Sequence, residues 1–376
     1  MKFTRTVFLS VSVAVVLLFS GVLMANRSNQ DVLFRALGNL AEVVHLVETE
    51  YVDELNQEAL SMSLDAGLVE PLDRSAAVLP GDRIDEYLEA VESAPPFGLG
   101  LATRLGSASV YFVLQGSPAE TAGLDRWEVI ELVEGVNSRG RPLWQIRLEL
   151  MERENLGEPV LLTVFDREVD ERREVILEPA PWTVRPATVE VLSEATVIRI
   201  EALPKNSLAS VTALVPTDGP LILDLRELRW GIESEAIALA DAFVEAGVLG
   251  GWQGRRAGSK SYSATAGSVV ASAPVVLVDR MTQGIAEILA EALQRNGAVV
   301  VGEKTVGHAS YMSLVRDGDV AVWMPVGQWL RADEKPINGN GVEPDEAVEV
   351  VDPEAEDDPV LARALELVSR ELPKAA

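Results

Sequence analysis

The chain has 376 residues, 48% of them hydrophobic, which is enough for two or three modest domains with cores of their own, so disorder is not the expected state. A formal net charge of -27, from 59 Asp and Glu against 32 Lys and Arg, repels nucleic-acid phosphates and anionic lipid surfaces and reads as a soluble, self-repelling exterior. With no cysteine and only two histidines, His45 and His308, disulfides, thiol catalysis and multi-histidine or cysteine metal centres are excluded; neither a metal nor a cofactor is expected.

In chain order, Lys2 and Arg5 precede an apolar run from Val7 to Ala25, followed by Asn26-Arg27-Ser28-Asn29-Gln30, the layout of an export signal. About 20 residues at a helical rise of ~1.5 Å span a bilayer core, so residues 1–26 are long enough for a signal anchor. Cleavage after Ala25 would put the bulky Leu23 where small residues are preferred, which favours retention; a cleaved signal would give a secreted chain. The expected location is therefore the cell envelope, anchored in the inner membrane with the bulk in the periplasm.

Over residues 31–95, Leu33, Leu37, Leu40, Val44 and Val47 recur at three- and four-residue steps and predict a helical region, closed by Pro95-Pro96. Residues 96–181 turn to short alternating segments, Ser109 to Leu114, Val129 to Glu134, Val160 to Phe165 and Glu174 to Leu177, with a helix over Leu143 to Arg153 and a shorter one opened by Ser117-Pro118. Residues 182–350 alternate strands (Thr196 to Ile200, Pro220 to Leu225, Pro274 to Val278, Ala298 to Val301, Val320 to Val326) with helices (Leu208 to Val215, Glu233 to Ala246, Ile285 to Asn296), an α/β layered domain. Residues 351–376 are an acidic linker and a closing amphipathic helix from Pro359 to Leu372, so the fold class is a multi-domain α+β chain.

Phe97-Gly98-Leu99-Gly100-Leu101, followed by Ser117-Pro118-Ala119-Glu120-Thr121-Ala122-Gly123-Leu124, resembles a PDZ domain. The resemblance implies a glycine-rich loop beside a strand edge that accepts an extended peptide. Arg126-Trp127-Glu128 departs from the Gly-Asp usual before the next strand of such domains. Upstream, Glu50-Tyr51-Val52-Asp53 and Glu70-Pro71-Leu72-Asp73-Arg74-Ser75 are similar to the region that precedes the PDZ domain in carboxyl-terminal processing peptidases. Downstream, Pro220-Leu221-Ile222-Leu223-Asp224-Leu225-Arg226, Ala273-Pro274-Val275-Val276-Leu277-Val278, Val301-Gly302-Glu303-Lys304-Thr305-Val306-Gly307 and Gly341-Val342-Glu343-Pro344-Asp345 match that family in order and spacing. The resemblance covers nearly all of the chain beyond its N-terminal signal and implies a crotonase- or Clp-like layered domain.

Members of that family use a serine nucleophile and a lysine base. Where the family has the middle serine of Ser-Ala-Ser-Ala-Ser-Glu-Ile, this chain reads Thr282-Gln283-Gly284-Ile285-Ala286-Glu287-Ile288, so Gly284 takes the nucleophile's place. Where the family has Gly-Lys-Gly-Thr/Ser-Val-Gln, it reads Gly307-His308-Ala309-Ser310-Tyr311-Met312, so His308 replaces the base and Met312 the supporting glutamine. Lys304, beside the base position, also occurs in active relatives and is not promoted to catalyst. In the oxyanion region Trp230 precedes Gly231 where the family has a glycine pair. The resemblance with these losses implies a pseudo-peptidase whose Phe97–Leu101 groove binds polypeptide C-termini or unfolded protein, with an active paralogue or an envelope protein as further possible partners. The alternative is a serine-type endopeptidase rewired around His308, with Thr282 or Ser310 as the hydroxyl.

Overall fold

The computed structural model describes residues 34–52, 57–69, 71–73, 75–104, 106–265, 267, 273–318, 320–350 and 357–371. The expected anchor over residues 1–26, and Asp53, Glu70 and Arg74 of the quoted motifs, lie outside them. Among the described residues no helix is long and apolar enough to cross a membrane. The chain divides into two units, Met1–Leu60 and Ser61–Ala376. In the first, residues 34–50 form a helix on which Phe34, Leu37 and Leu46 are exposed.

The second unit holds three substantial sheets. One contains the short alternating segments read from the sequence: Leu99–Arg104, Ser107–Val113, Val129–Val133, Val160–Asp166 and Glu171–Leu177, neighbours in that order and antiparallel throughout. Alternation of buried and exposed residues along Val160–Asp166 and Glu171–Leu177 puts Val160, Leu162, Val164, Val175 and Leu177 into a core shared with Ile146 and Leu150 of the helix Leu143–Leu156. That helix ends at Gly157, whose φ of 70° lets two amide contacts close onto Arg153 and Glu154 carbonyls. Leu99–Arg104 is an edge strand: Ser107–Val113 covers one side and no strand among the described residues covers the other.

The second sheet orders Glu346–Ala347, Val299–Gly302, Val275–Val278, Leu221–Asp224, Thr196–Ile200 and Ala187–Val191, parallel except for the last. Its central strands are continuous apolar runs because both faces are covered. Helices Glu233–Phe243 and Ile285–Gln294 pack one face through Leu239, Phe243, Leu289 and Leu293. The closing helix Pro359–Glu371 packs the other through Val360, Ala364 and Val368, and Arg226 pins its start with a paired contact to Asp358 at 3.0 and 2.7 Å.

The third sheet differs from the sequence reading. Its long strand Val320–Trp329 pairs along one side with Ser310–Asp317, and on the other with Ala77–Pro80 and, at its far end, with Val248–Gln253. Ala77–Pro80 falls in a region whose periodicity predicts helix, yet it is a strand because Ala77 and Leu79 are buried against Ala321, Tyr87 and Trp144. Tertiary pairing here overrides a local helical pattern.

Candidate active site

A cavity of about 570 Å³ opens between the edge strand Leu99–Arg104, the helix Leu143–Leu156 and the N-terminal end of the helix Ile285–Gln294; Leu99 to Thr103, Leu143, Arg147, Arg229 to Gly231, Gln283 to Ile285 and His308 line it. Of the expected positions, Leu99, Gly100, Leu101, Gly284 and His308 thus share one cavity, whereas Phe97 and Gly98 do not line it.

At one end, Gly284 caps the helix Ile285–Gln294 with φ 62° and ψ −123°, a conformation costly for any residue with a side chain. A Cβ built there meets nothing closer than the His308 carbonyl oxygen at 3.8 Å, so space for a small side chain exists although the residue has none. Gly284 and His308 are held together by Glu287, fully buried on the helix. Its carboxylate accepts from the amides of Gly284 (3.1 Å), Gly307 (2.6 Å) and His308 (2.8 Å), and from the Thr305 hydroxyl. Burial pushes its pKa up, against the pull of those four donors.

His308 does not reach a hydroxyl. Its Nε2 lies 3.2 Å from Oδ2 of Asp73, a buried carboxylate on the segment before Ala77–Pro80 that also accepts from the Ser75 amide at 2.8 Å. Burial raises the Asp73 pKa, but the His308 and Ser75 contacts outweigh it and leave the carboxyl below its ordinary value. The sequence reading did not assign Asp73 a role.

The two candidate hydroxyls sit elsewhere. Thr282, fully buried, donates to Asp279 Oδ1 at 2.7 Å and accepts from the Asp279 amide at 3.0 Å, closing the turn after Val275–Val278. Ser310 starts the strand Ser310–Asp317, its Oγ buried without a hydrogen-bond partner, and Met312 follows on the same strand; neither they nor Thr282 line the cavity. Lys304 is half exposed and paired with Glu343. In the oxyanion region the short strand Trp230–Gly231 runs parallel to Ala202–Leu203. Gly231 is packed so closely that a Cβ would come within 2.7 Å of Ile285 and Leu203 side-chain atoms, whereas Trp230, one residue earlier, places an indole on the cavity wall.

At the other end, the amides of the loop Phe97 to Leu99 are already used: Phe97 donates to Glu154 Oε1 at 3.0 Å, Gly98 to the Pro95 carbonyl at 2.9 Å, and Leu99 to the Pro96 carbonyl. Gly100 lies under the Phe112 ring, where a Cβ would come within 2.3 Å of it. Phe97, Gly98, Leu99 and Gly100 are buried and Leu101 is half-buried, so what faces the cavity here is a strand edge with apolar flanks. Among the described residues, no cluster of acidic groups and histidine is arranged to hold a metal.

Residues 205–348 match Peptidase family S41. The chain is 22% identical over 367 residues to the carboxy-terminal-processing protease of Bartonella bacilliformis, covering 94% of this chain and 83% of that protein. It is 29% identical over 285 residues to the carboxyl-terminal-processing protease of a Picosynechococcus species, covering 71% of this chain and 68% of that one. Among solved structures, that of the photosystem II D1 C-terminal processing protease superposes with a TM-score of 0.61 at 22% identity, over 86% of this chain and 89% of that chain, a likeness of fold. Residues 205–348 are thus a Peptidase family S41 domain, and over most of its length the chain is similar to carboxyl-terminal processing serine peptidases.

Proposed function

We propose that this chain is a membrane-anchored, periplasmic pseudo-peptidase that binds polypeptide C-termini or unfolded protein in the cavity without hydrolysing them. The observation that carries the reading is the pairing at the nucleophile's place: Gly284 offers no side chain, and the His308 imidazole is engaged by the Asp73 carboxylate rather than by a hydroxyl. Loss of an oxyanion donor alone costs a hydrolase ~10² to 10³ in rate, and loss of the nucleophile costs far more, because the groups act as a unit. The open edge of Leu99–Arg104 and the apolar walls supply what an extended chain needs: a ladder to join and pockets for alternate side chains. An active paralogue or another envelope protein is the natural partner for a binder that does not cut.

The His308–Asp73 contact favours one second reading. A carboxylate that orients an imidazole is the base half of a hydrolase, so a rewired endopeptidase would keep this pair and borrow a hydroxyl. An unfolded reporter with an apolar C-terminus separates the two. Binding without cleavage, unchanged in His308→Ala, is expected of the binder; cleavage abolished by His308→Ala would establish the rewired enzyme. Neither binding nor cleavage would leave only a structural role in an assembly with a paralogue.

A further inference from the structure

Three arginines line the cavity, and they differ in what neutralises them. Arg141 pairs with Glu149 at 2.6 Å. Arg229 donates to the Met281 carbonyl at 2.7 Å and has Glu227 and Asp279 oxygens within 4 Å, at 3.8 and 3.9 Å. Arg147, on the helix Leu143–Leu156, has no carboxylate partner among the described residues: its Nη2 donates to the Ala90 and Ser93 carbonyls at the end of the helix Ile84–Glu92, its Nε is buried without a partner, and its Nη1 meets no acceptor among them. Burial pulls its pKa down, offset in part only by the neighbouring Tyr87. A buried guanidinium without a counter-charge is expensive, and so is a buried N–H without an acceptor. The helix-end carbonyls account for Nη2, Nε is closed off by its surroundings, and Nη1 is left for something else.

Leu99, the first residue of the open strand edge, lines the same cavity, and the loop before it has no spare amide for a ligand's carboxylate. We propose that Arg147 is the anchor for the terminal carboxylate of a bound polypeptide, taking it on Nη1 while the tail pairs with the edge of Leu99–Arg104. The proposal rests on the tail-binding reading and assigns its recognition to a residue outside the glycine-rich loop. A single terminal carboxylate on an apolar tail fits both walls, which carry Leu99, Leu101, Leu143 and Trp144; a polyacidic segment would be repelled by a net charge of -27.

The test uses the full chain and a fluorescein-labelled peptide ending in three alanines, prepared as the free acid and as the C-terminal amide. The wild-type chain is expected to bind the acid about tenfold tighter than the amide, the worth of a charge-assisted pair. Arg147→Gln brings that ratio close to one while still binding the amide. Arg147→Lys keeps the cation at the helix end but not the fork and cuts the ratio severalfold; it serves if the Gln variant fails to fold. A helix-capping role alone would lower the melting temperature without moving the ratio, and an unchanged ratio in either variant overturns the proposal. Equal binding of acid and amide by the wild-type chain overturns it too but leaves polypeptide binding standing, whereas binding of neither peptide removes both.

Discussion

The two ends of the cavity have been altered in opposite ways. At the Gly284 end the position read as the nucleophile's carries no side chain, yet its backbone is firmly held: a residue at φ 62°, a helix beginning there, and a buried carboxylate that ties its amide to those of Gly307 and His308. At the Leu99 end the strand edge is open, but the loop amides expected to receive a ligand are spent on Glu154, Pro95 and Pro96. Scaffold and chemistry are therefore separable here. Glu287 and the tight packing of Gly231 serve the architecture whether or not anything is cut, and only the side chains facing the cavity decide what is done with a bound chain.

The sharpest way to break that comparison is at Glu287. Glu287→Leu leaves three amides and a hydroxyl buried without acceptors, at roughly 1–3 kcal/mol for each group left unsatisfied, so a loss of about 3 kcal/mol or more in unfolding free energy is expected by denaturant titration. A loss below about 1 kcal/mol would mean that the Gly284 and His308 segments hold their places independently, and that the preserved backbone is no single unit.

Much of this architecture is legible in the sequence. The parallel strands announce themselves as apolar runs such as Val275 to Val278, and the helix Ile285–Gln294 as an amphipathic segment stopped by Gly297. The elements that escape are those whose partners are far along the chain. Ala77–Pro80 is four residues long and owes its form to Val320–Trp323; Val248–Gln253 carries two glycines and is fixed by its ladder and by Trp252 stacked on Tyr311, ring centres 4.0 Å apart. The same holds in the site. Gly284, His308 and Trp230 stand out against the family's motifs, whereas Asp73 sits in a motif that reads as scaffold, and only the folded chain brings it to the imidazole. Thr282 reads as a free hydroxyl until the Asp279 turn is seen to occupy both its donor and its acceptor.

Gly284→Ser asks whether the kept backbone is enough. The space is there, so the cost is the strained dihedral, about 1–3 kcal/mol, and the variant is expected to fold with a melting temperature lower by several degrees. It is expected to bind an unfolded reporter and not to cleave it, because a hydroxyl at that place still lacks a glycine pair for the oxyanion and faces an imidazole already engaged by Asp73. Turnover in this single variant would show that one side chain was the whole difference between the two ends.

The smallest effect sits at Asp73, and its pH dependence has a definite sign. The native carboxyl titrates below its unfolded value of about 3.9, so its contribution is complete above that pH and is lost as the pH falls through the native pKa. Asp73→Asn keeps an acceptor for the Ser75 amide but gives up the charge, and is expected to cost about 1–2 kcal/mol at pH 7. The gap between the two melting curves should close as the pH falls below about 4. Glu287 runs the other way. Its raised pKa makes its own contribution largest below the unfolded value and smaller as the pH rises through the native one, so it cannot mimic the closing of the Asp73 gap. A gap that stayed open at the acid end, where the carboxyl has taken up its proton, would mean that the Asp73 charge does not hold the imidazole, and the reading of His308 as a residue tied to the scaffold would go with it.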